Sequence, residues 1–371
     1  MGKKAYIGVG GVARKIKKGY IGVDGVARKI KKAYIGIGGV ARPCWSGGEL
    51  AYYGKATDMV SARTYFSAVA VGSYALLCGG YSGSYLSTVD AYNTSLTRST
   101  PTALSEIRQQ SSAEAIGGYA LVAGGNKGTS GGSFNVDTYN TSLTRGSAPQ
   151  LSQGRSSAAT TVVGNYALFI AGQSGSAKKN VDAYDSSLTR TSAANATWGD
   201  EFNPTAATAG NYAVALGGIY MNAWNTSLTL TSSTYYLGTI YYRSATEIGD
   251  YALFAGGYSS SSPTNIVFAY NASLTQSKPT TLSAARCYLA DAKIGDYALF
   301  AGGTKNPTSY NNVEMAVVDV YDLALTRTTQ TDLSKARRNL RGTTVGDYAL
   351  FAGGQDGQYS ALATVDVYTV A

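Results

Sequence analysis

One strand-and-turn phrase recurs seven times along this chain, and that recurrence constrains the fold more than any single residue does. Each copy has a Gly-x-Tyr-Ala-Leu run closing on Gly-Gly, then Val-Asp-Ala-Tyr, then Ser-Leu-Thr-Arg, with local variation. The anchoring tyrosines are Tyr74, Tyr119, Tyr166, Tyr212, Tyr251, Tyr297 and Tyr348. A period of roughly 45 residues built from short alternating strands is the pattern of a propeller blade. The expected fold class is therefore all-β, a seven-bladed β-propeller. Most repeated residues are then expected to serve the architecture.

Within each blade four strands are predicted. The first follows an arginine, with Arg63, Arg108, Arg155, Arg286 and Arg337 each eleven positions before the anchoring tyrosine. The second is Tyr-Ala-Leu-Phe-Ala, the third Val-Asp-Ala-Tyr and the fourth Ser-Leu-Thr-Arg. The last copy ends at Val365-Asp366-Val367-Tyr368 without a fourth strand, whereas Leu50–Tyr53 lies at that spacing before the first arginine. This segment is expected to complete the last blade and remove an open sheet edge.

Residues 1–45 follow a different, 14-residue period. Tyr6, Tyr20 and Tyr34 each open a Tyr-Ile-Gly-Val/Ile run, and Arg14, Arg28 and Arg42 each end a Val-Ala-Arg run. Asp24-Gly25 between two β-type runs is a hairpin signal. A small antiparallel β-meander with basic edges is predicted here, with 46–371 as the propeller. The arm holds eight Lys and three Arg against one Asp, a formal +10, which leaves −1 for the rest of a chain whose total is +9. The basic character thus belongs to the arm.

Two resemblances follow from these motifs. Gly-Gly after the second strand, Tyr in the third and Arg before the first resemble the Kelch family of propellers across residues 50–371. The Kelch tryptophan of the fourth strand is replaced by Leu96, Leu188, Leu274 and Leu325. The arm's Lys-Lys-Ala-Tyr-Ile-Gly-Val-Gly-Gly-Val-Ala-Arg-type runs resemble segments of tail-associated proteins of phages and prophages of Gram-positive bacteria. That resemblance implies a virion protein of the tail or baseplate, or of a tailocin, made in the bacterial host cytoplasm.

The chain contains no histidine, which removes Ser-His-Asp and Cys-His catalysis and the usual imidazole metal ligands. Three cysteines (Cys44, Cys78 and Cys287) make no disulfide framework, and Cys78 stands where other repeats have alanine. No run of about 20 apolar residues suggests a membrane span. The repeated Asp90, Asp137, Asp182, Asp319 and Asp366 are read as turn caps rather than ion ligands, and the repeated arginines as bridges between blades. Four Asn-x-Ser sites (Asn93, Asn140, Asn225 and Asn271) fall in one recurring turn and are read as turn residues.

Function is sought where the repeat varies. The connections between second and third strands, and from the fourth strand to the next blade, differ in every copy and should share one face. Candidate recognition residues there are Tyr81, Tyr85, Lys178, Lys179, Trp198, Tyr220, Tyr235, Tyr236, Tyr241, Asn306, Tyr310, Gln355 and Tyr359. The candidate docking arm is Tyr6, Arg14, Tyr20, Arg28, Tyr34 and Arg42. The expectation is a non-enzymatic particle protein present in multiple copies. Its arm binds an acidic surface of another particle protein in preference to nucleic acid. Its loops bind a host-surface glycan or protein, and no cofactor, metal or membrane insertion is involved. The alternatives are a polysaccharide-degrading enzyme, with Asp200 and Glu201 as the non-repeat carboxylates, and a purely architectural or decoration protein.

Overall fold

The computed structural model describes residues 6–9, 12–15, 19–23, 26–30, 32–37, 40–46, 49–128, 131–198, 203–235, 240–259, 261–307 and 313–370. For 6–46, 177 and 233–235 it describes the backbone alone. Among these residues no helix occurs, and none is therefore long and apolar enough to cross a membrane. Seven four-stranded antiparallel sheets carry the chain from Leu50 onward, here numbered one to seven in order of their first strands.

Those first strands are Ser67–Val71, Ser112–Ile116, Ala159–Val163, Thr205–Ala209, Ser244–Ile248, Ala290–Ile294 and Arg341–Val345. Each touches the next, and the seventh touches the first, so they form a closed inner ring. Closure depends on the segment before the first arginine. Leu50–Ala56 pairs antiparallel with Val365–Val370 and becomes the fourth strand of sheet seven, as the spacing predicts. The strand runs three residues beyond Tyr53, which is left unpaired at a register shift beside Gly54, whose φ of +126° suits glycine.

The second strands read as nearly continuous apolar runs because both of their faces are buried. Alternate side chains enter opposite seams: Ala120 and Val122 pack toward sheet one, Leu121 and Ala123 toward sheet three. The apolar core is accordingly divided into seven clusters, one in each seam between neighbouring sheets. Cys78 and Cys287 are buried, and burial pushes both thiols up to about 12, which keeps them unreactive.

Repeated Arg–Asp pairs tie five of the sheets together internally. Arg63, Arg108, Arg155, Arg286 and Arg337 reach Asp90, Asp137, Asp182, Asp319 and Asp366 at 2.5–2.8 Å, with all ten side chains buried. The ion pair lies within one sheet, which corrects the expected side-chain bridge between blades. The crossing is made by the backbone of the same arginine: Gly125 N–H donates to the Arg155 carbonyl, and Arg155 N–H donates to the Ser133 carbonyl of the preceding sheet. Each aspartate also accepts a backbone N–H three residues before its arginine, as Ser152 N–H does for Asp182. These carboxylates are therefore structural acceptors.

Sheets four and five solve the same problem without an aspartate. Asn222 exchanges two 2.8 Å hydrogen bonds with Thr197. Trp198 packs edge-on to Trp224 at 6.3 Å, and Trp224 Nε1–H donates to the Ala194 carbonyl. In sheet five Phe268 takes the aspartate position, with the Arg243 guanidinium 5.8 Å from its ring.

Residues 6–46 form three separate two-stranded hairpins, Tyr6–Val9 with Val12–Lys15, Gly19–Val23 with Val26–Ile30, and Lys32–Ile37 with Val40–Ser46. This corrects the expected single meander. The lysine-rich joints between repeats oppose pairing of one repeat with the next, because a second turn there would crowd like charges.

Candidate functional site

The two rims of the ring are chemically different. On one rim the turns after the first strands press against the third-to-fourth turns of the next sheet. A Cβ on Gly117 would stand 2.4 Å from Cβ of Ser186, and one on Gly346 would meet Thr94 across the seam between sheets seven and one. Here Asn93, Asn140, Asn225 and Asn271 each accept two backbone N–H bonds through their side-chain oxygen, as the turn reading requires. The leucines three residues on, Leu96, Leu143, Leu228 and Leu274, have φ near +60°.

The opposite rim surrounds the mouth of a central channel of about 980 Å³. Two residues after each repeated arginine, or its equivalent, one residue per sheet sits at positive φ. In ring order these are Tyr65, Gln110, Ser157, Asn203, Tyr242, Tyr288 and Asn339, with φ between +53° and +60°, and all seven line the channel. Backbone bonds link them from sheet to sheet: Tyr288 N–H to the Tyr242 carbonyl, Asn339 N–H to Tyr288, Gln110 N–H to Tyr65 and Ser157 N–H to Gln110. Asparagine tolerates this conformation. Tyrosine is seldom found there, and strain of about 1–3 kcal/mol accompanies such an outlier.

The three tyrosines occupy one side of the mouth. Tyr242 and Tyr288 stack with centroids 4.3 Å apart, and Tyr241 lies 6.2 Å from Tyr242. Asn339 Nδ2–H donates to the Tyr65 hydroxyl at 3.3 Å. Burial raises the phenols of Tyr65 and Tyr288, so both are neutral donors at physiological pH. Arg338 extends this side outward, its guanidinium 5.0 Å from the Tyr359 ring and 3.5 Å from Glu314.

Below the tyrosines, most of the lumen's charge lies on the same side, with a further carboxyl, Glu114, on sheet two. Ser244 Oγ donates to Asp291 at 2.5 Å, and Lys293 pairs with Glu247 at 2.5 Å. The corresponding lumen positions of sheets one to four are Ala68, Ala70, Ala113, Ala115, Thr160, Val162, Ala206 and Thr208. Burial pushes the Asp291 carboxyl up to about 6 and that of Glu114 up to about 7. Among the described residues no three potential metal-ligating side chains converge.

The sequence candidates distribute as follows. Tyr241 and Tyr359 join the mouth. Tyr81 and Tyr85 face each other at 5.7 Å at the outer tip of sheet one, and Lys178 and Lys179 lie on the third strand of sheet three, Lys179 exposed. Tyr220 is half-buried against the core of sheet four. Asn306 is half-buried in sheet six, its backbone N–H donating to the Thr304 hydroxyl. Two candidates are corrected. Trp198 is fully buried, edge-on to Trp224 and against Gly217 in a sheet without the Asp of the repeat, and Gln355 is buried, with its amide oxygen accepting from Arg338. The backbone of Tyr235 pairs with Tyr220. Tyr236, Tyr310, Asp200 and Glu201 lie outside the described residues, as do the side chains of Tyr6, Arg14, Tyr20, Arg28, Tyr34 and Arg42. Sequence reasoning missed Tyr65, Tyr288 and Asn339, although a fixed offset of two from each arginine marks them.

Residues 62–98, which span sheet one, match the Kelch motif. No curated protein matches the chain in sequence. Among solved structures that are similar, one titled "Structure of YjhT" superposes with a TM-score of 0.56 at 12% identity, covering 85% of this chain and 97% of that one. In all, 753 solved chains match, and a fold so widely shared leaves function to the site. The fold of this chain is a Kelch-like β-propeller.

Proposed function

We propose that this chain is a non-enzymatic structural protein of a phage, prophage or tailocin particle, in which a seven-bladed ring presents its channel mouth to a host-surface carbohydrate. Residues 1–45 dock the ring to other particle proteins. The observation that carries the binding role is the placement of Tyr65, Tyr242 and Tyr288 at positive φ around the mouth. Strained aromatic residues persist where something other than stability selects them. Tyrosine faces stack on the apolar faces of sugar rings, and Asn339, Gln110 and Ser157 supply hydrogen bonds around them. Many copies on one particle turn weak single contacts into firm attachment. The arm's +10 charge and its likeness to tail-associated segments support the docking role.

The test is binding of the full chain to intact host cells and to a glycan array. Retention that soluble cell-wall carbohydrate competes away is expected; no retention on any host surface favours a purely architectural protein. A second reading, a polysaccharide-cleaving enzyme, draws on Glu114 and Asp291, two lumen carboxyls held above their ordinary range. New reducing ends released from host polysaccharide would select it.

A further inference from the structure

The three arm hairpins repeat in register as well as in sequence. Ile7 stands opposite Arg14, Ile21 opposite Arg28 and Ile35 opposite Arg42. Gly8, Gly22 and Gly36 stand opposite Ala13, Ala27 and Ala41, and Val9, Val23 and Ile37 opposite Val12, Val26 and Val40. Each hairpin is a sheet of its own, paired with no other described strand. A lone two-stranded hairpin is marginally stable in water and leaves both edges open to pairing. From these observations we infer that the hairpins are three equivalent docking units for an acidic protein surface that offers the same site three times. This rests on the docking role proposed above and adds its multiplicity.

The joints set the spacing of those sites. A hairpin returns to its starting end, where its two strands stand about 5 Å apart. Three residues separate Lys15 from Gly19 and one separates Ile30 from Lys32. At a reach of about 3.5 Å per residue, successive hairpins begin within about 20 Å of each other. Sites that close belong to subunits meeting around a symmetry axis, or to successive units of a repetitive β-structure. Separate globular subunits side by side are too far apart. Charge selects the partner's sign: the +10 arm repels a second copy of itself, while the ring carries only −1. A polyanion such as DNA would answer the lysines but offers nothing to the Ile and Val positions that recur at fixed register. Once one hairpin is seated, the others bind at millimolar effective concentration.

Three single substitutions in the full chain, Ile7→Asp, Ile21→Asp and Ile35→Asp, put the same lesion at the same register position. Affinity is measured for particles assembled without this chain, at 0.15 M salt. Each variant is expected to weaken binding by a similar factor, about tenfold to a hundredfold, and any two together by about the product. Deletion of 5–18 or of 19–32 should reproduce the single losses, which guards against a misfolded substitution. One variant that abolishes binding while the other two stay within twofold of the parent would overturn equivalence and leave docking intact. Failure of the parent chain to bind the particles removes the docking role itself. Equal affinity for a 30-base-pair DNA duplex would replace the protein partner with nucleic acid.

Discussion

The two rims of this ring are built from the same repeat and differ in what the repeat is asked to do. On the rim of tight turns, asparagine in four sheets and Asp185 and Asp322 in two more accept the same two N–H bonds, and glycine meets the neighbouring turn across six of the seven seams. Six copies give the same answer because they face the same packing problem, and the seventh, closed by Leu50–Ala56, has no such turn. On the channel rim, one backbone position per sheet holds the same strained φ, yet the residue changes from Gln to Ser to Asn to Tyr. The backbone there is architecture and the side chain is free. Repetition thus marks what holds the ring, and departure from it at a fixed backbone position marks where a ligand is met.

Removing a structural element should damage stability and leave surface recognition alone. Asp182→Ala strands the buried guanidinium of Arg155 and leaves Arg190 without its carboxylate. A loss of about 3–5 kcal/mol is expected, read by denaturant unfolding, while the variant that remains folded still binds host cells. A loss below about 1 kcal/mol would mean that the buried Arg–Asp pair is not what holds its sheet together.

A smaller effect separates the lumen from both rims. The raised Glu114 carboxyl is protonated in the folded chain at pH values where the unfolded chain, near 4.5, has already ionised. The folded state therefore binds more protons across that window, and stability falls as pH rises from about 4.5 to 7. Glu114 opens partly on the lumen, which screens the effect to about 1 kcal/mol. Glu114→Gln should unfold like the parent chain at pH 4.5 and later than it at pH 8. Identical pH profiles would place that carboxyl in ordinary solvent.

Most of the ring was legible in the sequence because each seam is a local problem repeated. The arginine offset, the Gly-Gly ends and the missing fourth strand located the sheets and the first four residues, Leu50–Tyr53, of the closing strand. Trp198 was misread for a physical reason: in the sheet without the Asp of the repeat, it packs edge-on to Trp224 in the interior, so irregular sequence there signals packing inside the seam. The mouth was only half legible. Tyr241 and Tyr359 stood out among variable loops, but Tyr65 and Tyr288 adjoin the repeated arginines, and what distinguishes them is a backbone conformation that residue type does not announce. The meander expected of the arm failed because strand propensity is local, whereas pairing between repeats depends on the charge carried by the joints.

The most direct measurement is a paired one on the double variant Tyr242→Asn/Tyr288→Asn, which gives sheets five and six the residue that sheet seven carries at Asn339. Asparagine suits positive φ, so relief of strain offsets the lost ring contact, and thermal unfolding should stay within about 2 °C of the parent. Host-cell binding should fall at least tenfold. Unchanged binding by a variant that unfolds normally would contradict the assignment of the channel mouth as the recognition site.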